Sequence, residues 1–241
     1  MSFHFSPKIV TDNLILSVDA ANSRCYTPSS TTLNELTEVN TGILIGGVGY
    51  SSDKLGAWTF DATDDYIDLG TRLPSLGLTY PMSIDVWFNP TSIIATGGRS
   101  IFAGAVNPTN NVYLGFNVLL SFPSYSIIAQ IGDGLGNGAN NRRSITSTQS
   151  ANAGAWNHVV ATADSGNVFE IYLNGLLTSG TSSGSGGSLS WGTGASAQIA
   201  RYAGYPDLFN GSVASLKFYN KKLSSSEVLQ NYNALKNRFG L

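Results

Sequence analysis

Ala155-Trp156-Asn157-His158-Val159-Val160-Ala161-Thr162-Ala163, then Asp164-Ser165-Gly166-Asn167, then Val168-Phe169-Glu170-Ile171-Tyr172-Leu173-Asn174-Gly175 is the stretch that decides the fold. Trp156, His158, Val160 and Thr162 share one side of an extended chain, and Asn157, Val159, Ala161 and Ala163 share the other. A period of two is the signature of a β-strand. Past the polar turn, Phe169, Ile171 and Leu173 alternate with Glu170 and Tyr172. Asn174-Gly175 then supplies the two positive-φ positions of a tight hairpin. The segment predicts two antiparallel strands leading into a second hairpin.

The same alternation recurs outward from it. Met82, Ile84, Val86 and Phe88 face one way, while Ser83, Asp85, Trp87 and Asn89 face the other, and Pro90 ends the run because it cannot donate to a ladder. Leu14–Val18, Ile43–Ile45, Ala57–Asp61 and Tyr66–Leu69 read as further strands, as do Ser100–Val106, Val112–Leu119, Tyr125–Ile131, Ser144–Thr148, Ser196–Arg201 and Gly211–Asn220. Gly132–Asn141 carries four glycines and reads as an exposed, mobile loop. Residues 178–190 are rich in Gly and Ser and read as a flexible loop within one sandwich. One helix is signalled, over about residues 224–238. Ser224-Ser225-Ser226-Glu227 is a capping box, Leu223 and Val228 are spaced for a hydrophobic staple, and Val228, Tyr232, Leu235 and Phe239 recur at helical spacing.

At 241 residues the chain can bury a sizeable core. Only 12 % of it is charged, about half the share of an average soluble domain. Gly, Ser, Thr and Asn fill the gap, which gives a polar but charge-poor surface of the kind seen on extracellular and virion β-proteins. The net charge is −2 and no basic run exceeds two residues, which argues against binding nucleic acid through its phosphates. Cys25 is alone, so there is no intrachain disulfide, and no zinc cluster can be assembled. No apolar run approaches the ~20 residues of a membrane span. The N-terminus lacks a basic region followed by an apolar one, so it does not read as a secretory signal.

The pattern W-x-H-V, an Asp-containing turn and x-Y-x-N-G resembles the laminin-G-like branch of the concanavalin A-like lectin/glucanase superfamily. So do Leu14 to Asn22, Phe60-Asp61-Ala62-Thr63-Asp64-Asp65-Tyr66-Ile67, the strand from Phe209 to Asn220, and Leu223-Ser224 with Glu227-Val228 and Tyr232. Ala62 stands where the family usually has Gly, and Ala214 where it usually has an acidic residue. The resemblance implies a single domain over residues 1–241: an all-β, two-sheet antiparallel jelly-roll sandwich with one C-terminal helix and a short N-terminal arm, residues 1–12.

Catalysis is not signalled. A retaining glycosidase needs two carboxylates about 5–5.5 Å apart. The four glutamates, Glu35, Glu38, Glu170 and Glu227, form no acidic i, i+2 pattern, and Glu227 belongs to the capping box. Of the two histidines, His4 lies in the arm and His158 reads as a half-buried, hydrogen-bonded strand residue. For calcium, which the resemblance implies as a ligand of such sandwiches, the candidate carboxylates are Asp61, Asp64, Asp65 and Asp207; the same short side chains could instead cap turns. For glycan binding the candidates are Trp191, Tyr202, Tyr205 and Asp207; the tyrosines could instead pack in the fold or at an interface.

The reading that results is a non-enzymatic bacteriophage virion protein: a capsid decoration, tail or fibre component made in the host cytoplasm. Its expected partners are other virion proteins and itself, as a homo-oligomer such as a trimer, together with a host surface glycan, and neither nucleic acid nor a membrane. The alternative is a carbohydrate-binding adhesin or lectin module at a cell surface or outside the cell. A glycoside-active enzyme is the third class.

Overall fold

A computed structural model describes residues 7–38, 40–91, 97–107, 112–202 and 208–241. In chain order its strands are β1 Leu14–Asp19, β2 Thr32–Asn34, β3 Thr41–Ile45, β4 Gly49–Ser51, β5 Ala57–Asp61, β6 Tyr66–Asp68, β7 Met82–Pro90, β8 Gly97–Val106 and β9 Phe116–Phe122. They continue as β10 Ser126–Gly132, β11 Arg142–Ser150, β12 Asn157–Ser165, β13 Val168–Leu173, β14 Leu176–Thr178, β15 Gly180–Ser183, β16 Ser196–Ile199 and β17 Asn210–Tyr219. One antiparallel sheet runs β14-β13-β12-β7-β17-β5-β4, with β1 also on β17; the other runs β15-β11-β10-β9-β8-β16-β6-β3-β2. The two sheets and the C-terminal helix Ser225–Phe239 make the jelly-roll sandwich expected from the sequence.

The alternating strands explain the layering. Met82, Ile84, Val86 and Phe88 of β7 and Val159, Ala161 and Ala163 of β12 point inward to Phe116, Val118 and Leu120 of β9 and Ile127, Ala129 and Ile131 of β10. Asn174 and Gly175 take φ of 51° and 81°, as the hairpin demands. The capping box forms: the Ser224 hydroxyl accepts the Glu227 N–H, and the Glu227 carboxylate accepts the Ser224 N–H. Leu223 and Val228 pack in one cluster with Val160, Tyr172 and Tyr219.

One reading is corrected. Residues 178–190 are not all loop, because Gly180–Ser183 pairs with Ser144–Ser147 of β11 as an edge strand. Backbone pairing, to which Gly and Ser offer no steric obstacle, overrides the composition. The N-terminal arm docks through Lys8, whose carbonyl accepts the Gln230 amide at 2.7 Å, and Val10, whose N–H donates to Asn231 Oδ1 at 2.7 Å and whose carbonyl accepts the Tyr219 hydroxyl at 3.0 Å.

The outer face of the first sheet is closed by the helix. Trp87 lies between His158 (ring centroids 4.8 Å apart) and Phe239 (4.2 Å). Beneath them is Asp85, fully buried on β7. Its Oδ1 is 3.3 Å from Lys217 Nζ of β17, and its Oδ2 is 3.2 Å from His158 Nε2 of β12 and accepts Asn231 Nδ2 of the helix at 2.8 Å. His158 is therefore fully buried against a carboxylate rather than half-buried. Burial alone would push the Asp85 carboxyl up; Lys217, His158 and the Asn231 amide outweigh it and hold the group well below the usual carboxylate range.

Asp85→Ala would leave Lys217 buried without its partner, and it is expected to cost about 3–5 kcal/mol, read from the denaturation midpoint at unchanged slope. A loss under about 1 kcal/mol would contradict the role. Because the folded pKa is depressed, the Asp85 contribution is fully present above its ordinary value of 3.8 and is lost as the pH falls below it. Asp85→Asn should flatten that acid limb of the stability curve.

Candidate functional site

Two connections that cross from one sheet to the other lie against each other at one end of the sandwich. The first runs from β3 to β4 through Gly46 and Gly47; the second runs from β5 to β6 through Ala62–Asp65. Gly46 has φ +89°, and a Cβ there would lie 2.3 Å from the Asp64 carbonyl oxygen, so only glycine lets the two turns touch. Ala62, the departure from the family's glycine, takes φ +63° and keeps the left-handed turn. The end of β16 and the start of β17 reach the same rim, since Ile199 pairs with Ile67 and Asn210 with Asp61.

The carboxylates expected to gather do so in part. Oxygens of Asp61, Asp64 and Asp65 lie within 4.8 Å of one another. Asp61 Oδ1 accepts the Thr63 N–H at 2.7 Å, and Asp65 Oδ2 accepts the Asp61 N–H at 3.1 Å. Asp61 and Asp65 thus each cap a turn. Asp65 is buried, and burial first, then its acidic neighbours, raises its pKa above the ordinary carboxylate value. A hard cation suits an all-oxygen set such as this. Asp207 lies outside the described residues.

Three depressions surround the Gly46–Gly47 turn. One of about 450 Å³ is lined by Ile45, Gly46, Thr63, Asp64, Tyr66, Arg201 and Leu208. The Arg201 guanidinium carbon is 4.4 Å from the Tyr66 ring centroid, and Arg201 makes no ion pair with a described residue. A second depression, about 460 Å³, holds Asp61, Asp65, Thr59 and Asn210. A third, about 400 Å³, is lined by Tyr26, Tyr50 and the hydroxyl side chains of Ser29, Ser30 and Thr31.

The aromatic candidates read from the sequence are corrected. Trp191 is 7 % exposed and Tyr202 3 %. The Trp191 indole N–H donates to the Leu78 carbonyl at 2.7 Å, and its ring packs edge-on to Phe218. The Tyr202 hydroxyl accepts the Leu114 N–H at 3.2 Å, and its ring covers Ala103 and Val106. Neither can offer a face to a ligand. Tyr205 lies outside the described residues, as does His4. Tyr66 and Arg201, which line a depression together, were not among the candidates read from the sequence. Both were legible as strand-end residues, and the clue to Tyr66 was its place directly after three aspartates in a five-residue corner.

All four glutamates are engaged. Glu35 and Glu38 both meet Arg72, at 3.1 and 3.0 Å; Glu170 meets Lys222 at 2.8 Å and Glu227 meets Lys221 at 2.7 Å. No helix of the described residues is long and apolar enough to cross a membrane.

Comparison with known proteins places this geometry. A search of the curated proteins returns no match to the sequence. Among solved structures, domain 4 of AbnA, a GH43 extracellular arabinanase from Geobacillus stearothermophilus in complex with arabinotriose, is similar at 17 % identity and TM-score 0.61, covering 91 % of this chain and 98 % of that one. The binding domain of botulinum neurotoxin DC in complex with SialylT is similar at 14 % identity and TM-score 0.65, over 93 % of this chain and 52 % of that one. A Trypanosoma rangeli sialidase mutant displaying trans-sialidase activity is similar at 11 % identity and TM-score 0.66, over 95 % and 34 % respectively. The chain thus spans about half the length of the neurotoxin binding domains it matches. At these identities the likeness is one of fold. The sequence itself matches the Laminin_G_3 family over residues 61–229, most of its length, and the chain belongs to that family of the concanavalin A-like lectin/glucanases superfamily.

Proposed function

We propose that the chain is a non-enzymatic carbohydrate-binding module whose site is the rim at the Gly46–Gly47 turn. One observation carries the reading: Tyr66, Arg201, Asp64 and Thr63 line a single depression of about 450 Å³. Small-ligand sites are concave, with aromatic surface and a few polar groups. A sugar hydroxyl both donates and accepts, whereas guanidinium only donates and an ionised carboxylate only accepts. Arg201 and Asp64 therefore offer complementary halves of a hydroxyl's hydrogen bonds, and Tyr66 fixes the plane of the guanidinium. Sugar-bound relatives of the fold, the arabinanase domain among them, support the reading. Engagement of every glutamate by a cation supports a module without turnover.

Screening the protein on an array of neutral and acidic glycans should find retained ligands, and Arg201→Ala should weaken the best of them by about tenfold or more at unchanged Tm. No retained glycan, or equal binding by the variant, would overturn the assignment.

The corner of Asp61, Asp64 and Asp65 is our proposed place for calcium. Adding calcium to chelator-treated protein should raise Tm, and Asp64→Asn should remove the rise; an unchanged Tm would leave the three carboxylates as turn caps.

Our finer proposal sets the module on a bacteriophage virion, as a decoration, tail or fibre component, with an extracellular or cell-surface location as the alternative. A chain with only 12 % charged residues supports it. Contact with other virion proteins or with a second copy would draw on Leu176 and Leu177 of the edge strand β14 and on Leu229 of the helix, all exposed. Antibody-gold labelling of phage particles from the source should decorate head or tail, and bare particles would end this proposal.

A further inference from the structure

The ligand bound at the rim is a run of linked neutral sugars that crosses the Gly46–Gly47 turn, we propose, with one unit beside Arg201 and the next against Tyr50. This rests on the glycan-binding reading above and specifies its substrate class.

The turn borders both sites, with Leu44 and Val48 beside it on one and Ile45 on the other. Gly46 lines the depression of Arg201, and Gly47 lines that of Tyr50, about 450 and 400 Å³. Each volume falls within the ~300–1,000 Å³ of small-ligand sites. Its two glycines carry no side chain. Gly46 must be glycine because of its approach to the Asp64 carbonyl, and Gly47, at φ +125°, holds a conformation that L side chains rarely adopt. A chain of sugars can pass over backbone alone.

The second depression has the chemistry of a sugar subsite without charge. The rings of Tyr26 and Tyr50 lie 5.5 Å apart, tilted by 41°. Tyr26 forms the floor: it is 4 % exposed and its hydroxyl donates to the Ser30 carbonyl at 3.2 Å. Tyr50 is half-buried and leaves part of its surface at the opening. Ser29 holds φ +74°, a left-handed conformation unusual for serine, and such strain concentrates at ligand clamps. Ser29 and Thr31 line the same depression with hydroxyl side chains, while the Ser30 hydroxyl is held by Thr32.

Neutrality follows from what stands around the turn. With no calcium at the corner, an acidic sugar would bring its carboxylate to a rim where oxygens of Asp61, Asp64 and Asp65 lie within 4.8 Å of one another and Arg201 is the one cation among the described lining residues. Like charges at that spacing repel, while hydroxyls find acceptors in the same groups.

The test is calorimetric titration with glucose-, mannose- and galactose-based oligosaccharides of one to four units. The expected result is a rise in affinity of about tenfold or more from one unit to two or three. Tyr50→Ala should erase that rise and leave binding of the single sugar unchanged. Thr31→Trp, which fills the second depression from an exposed position without emptying the interior, should do the same. Arg201→Ala should weaken long and short ligands alike. Affinity independent of chain length, or a rise that survives both Tyr50→Ala and Thr31→Trp, would overturn the extended ligand while glycan binding stands. Tighter binding of acidic than neutral sugars would overturn the neutral assignment. Failure of folded wild-type protein to bind any glycan would remove the underlying reading itself.

Discussion

Asp85 ties together parts of the chain that are far apart in sequence. Its carboxylate sits on β7, with Lys217 reaching it from β17 on one side and His158 from β12 on the other. Asn231 adds the C-terminal helix, and the same asparagine and Tyr219 hold Val10 of the N-terminal arm. Taking a carboxylate and an ammonium out of water is costly, and an apolar pair of the same shape would often be as stable. A set of polar partners has what apolar groups lack, direction: it is satisfied by one placement of helix and arm. The Trp87 stack with Phe239 and Tyr232 then adds apolar contact to that placement.

This closure decides where function can lie. The inner face of the first sheet is core, and its outer face is sealed by the helix, so β7, β12 and β17 offer a ligand nothing but their ends. At the end where β3, β5, β6, β16 and β17 converge, the two crossing turns bring together charges that the rest of the molecule disperses or pairs. Arg72, Arg238 and Lys221 are each matched by carboxylates, whereas among the described residues Arg201 is matched by the Tyr66 ring. A rigid sandwich that presents mixed donors and acceptors on crossing loops is suited to reading a polar, uncharged ligand.

Elements set by local pattern were legible in the sequence. Period two placed β7, β12 and β13, Asn174-Gly175 placed the hairpin, and Ser224 with Glu227 placed the helix start, because each is decided by neighbours within a few residues. Partners across the sandwich were not legible. Asp85 read as the polar residue of an alternating strand, since nothing near it announces Lys217 or Asn231, more than 130 residues on. Trp191 followed a Gly/Ser stretch and read as exposed; its indole N–H in fact meets the Leu78 carbonyl, 113 residues away. Tyr202, for which packing was the alternative, packs through Leu114. Of the site, the acidic corner was visible and the Tyr66–Arg201 pair was not, because that contact joins β6 to the end of β16.

The most direct measurement of the central claim is backbone amide mapping by NMR during titration with a neutral oligosaccharide. The account predicts that the shifted amides cluster at Gly46, Gly47, Thr63, Asp64, Tyr66 and Arg201 and continue to Tyr50 and Thr31, while β7, β12 and the C-terminal helix stay still. Shifts centred on the helix or on the edge strands β14 and β15, with the Gly46–Gly47 turn unmoved, would contradict it.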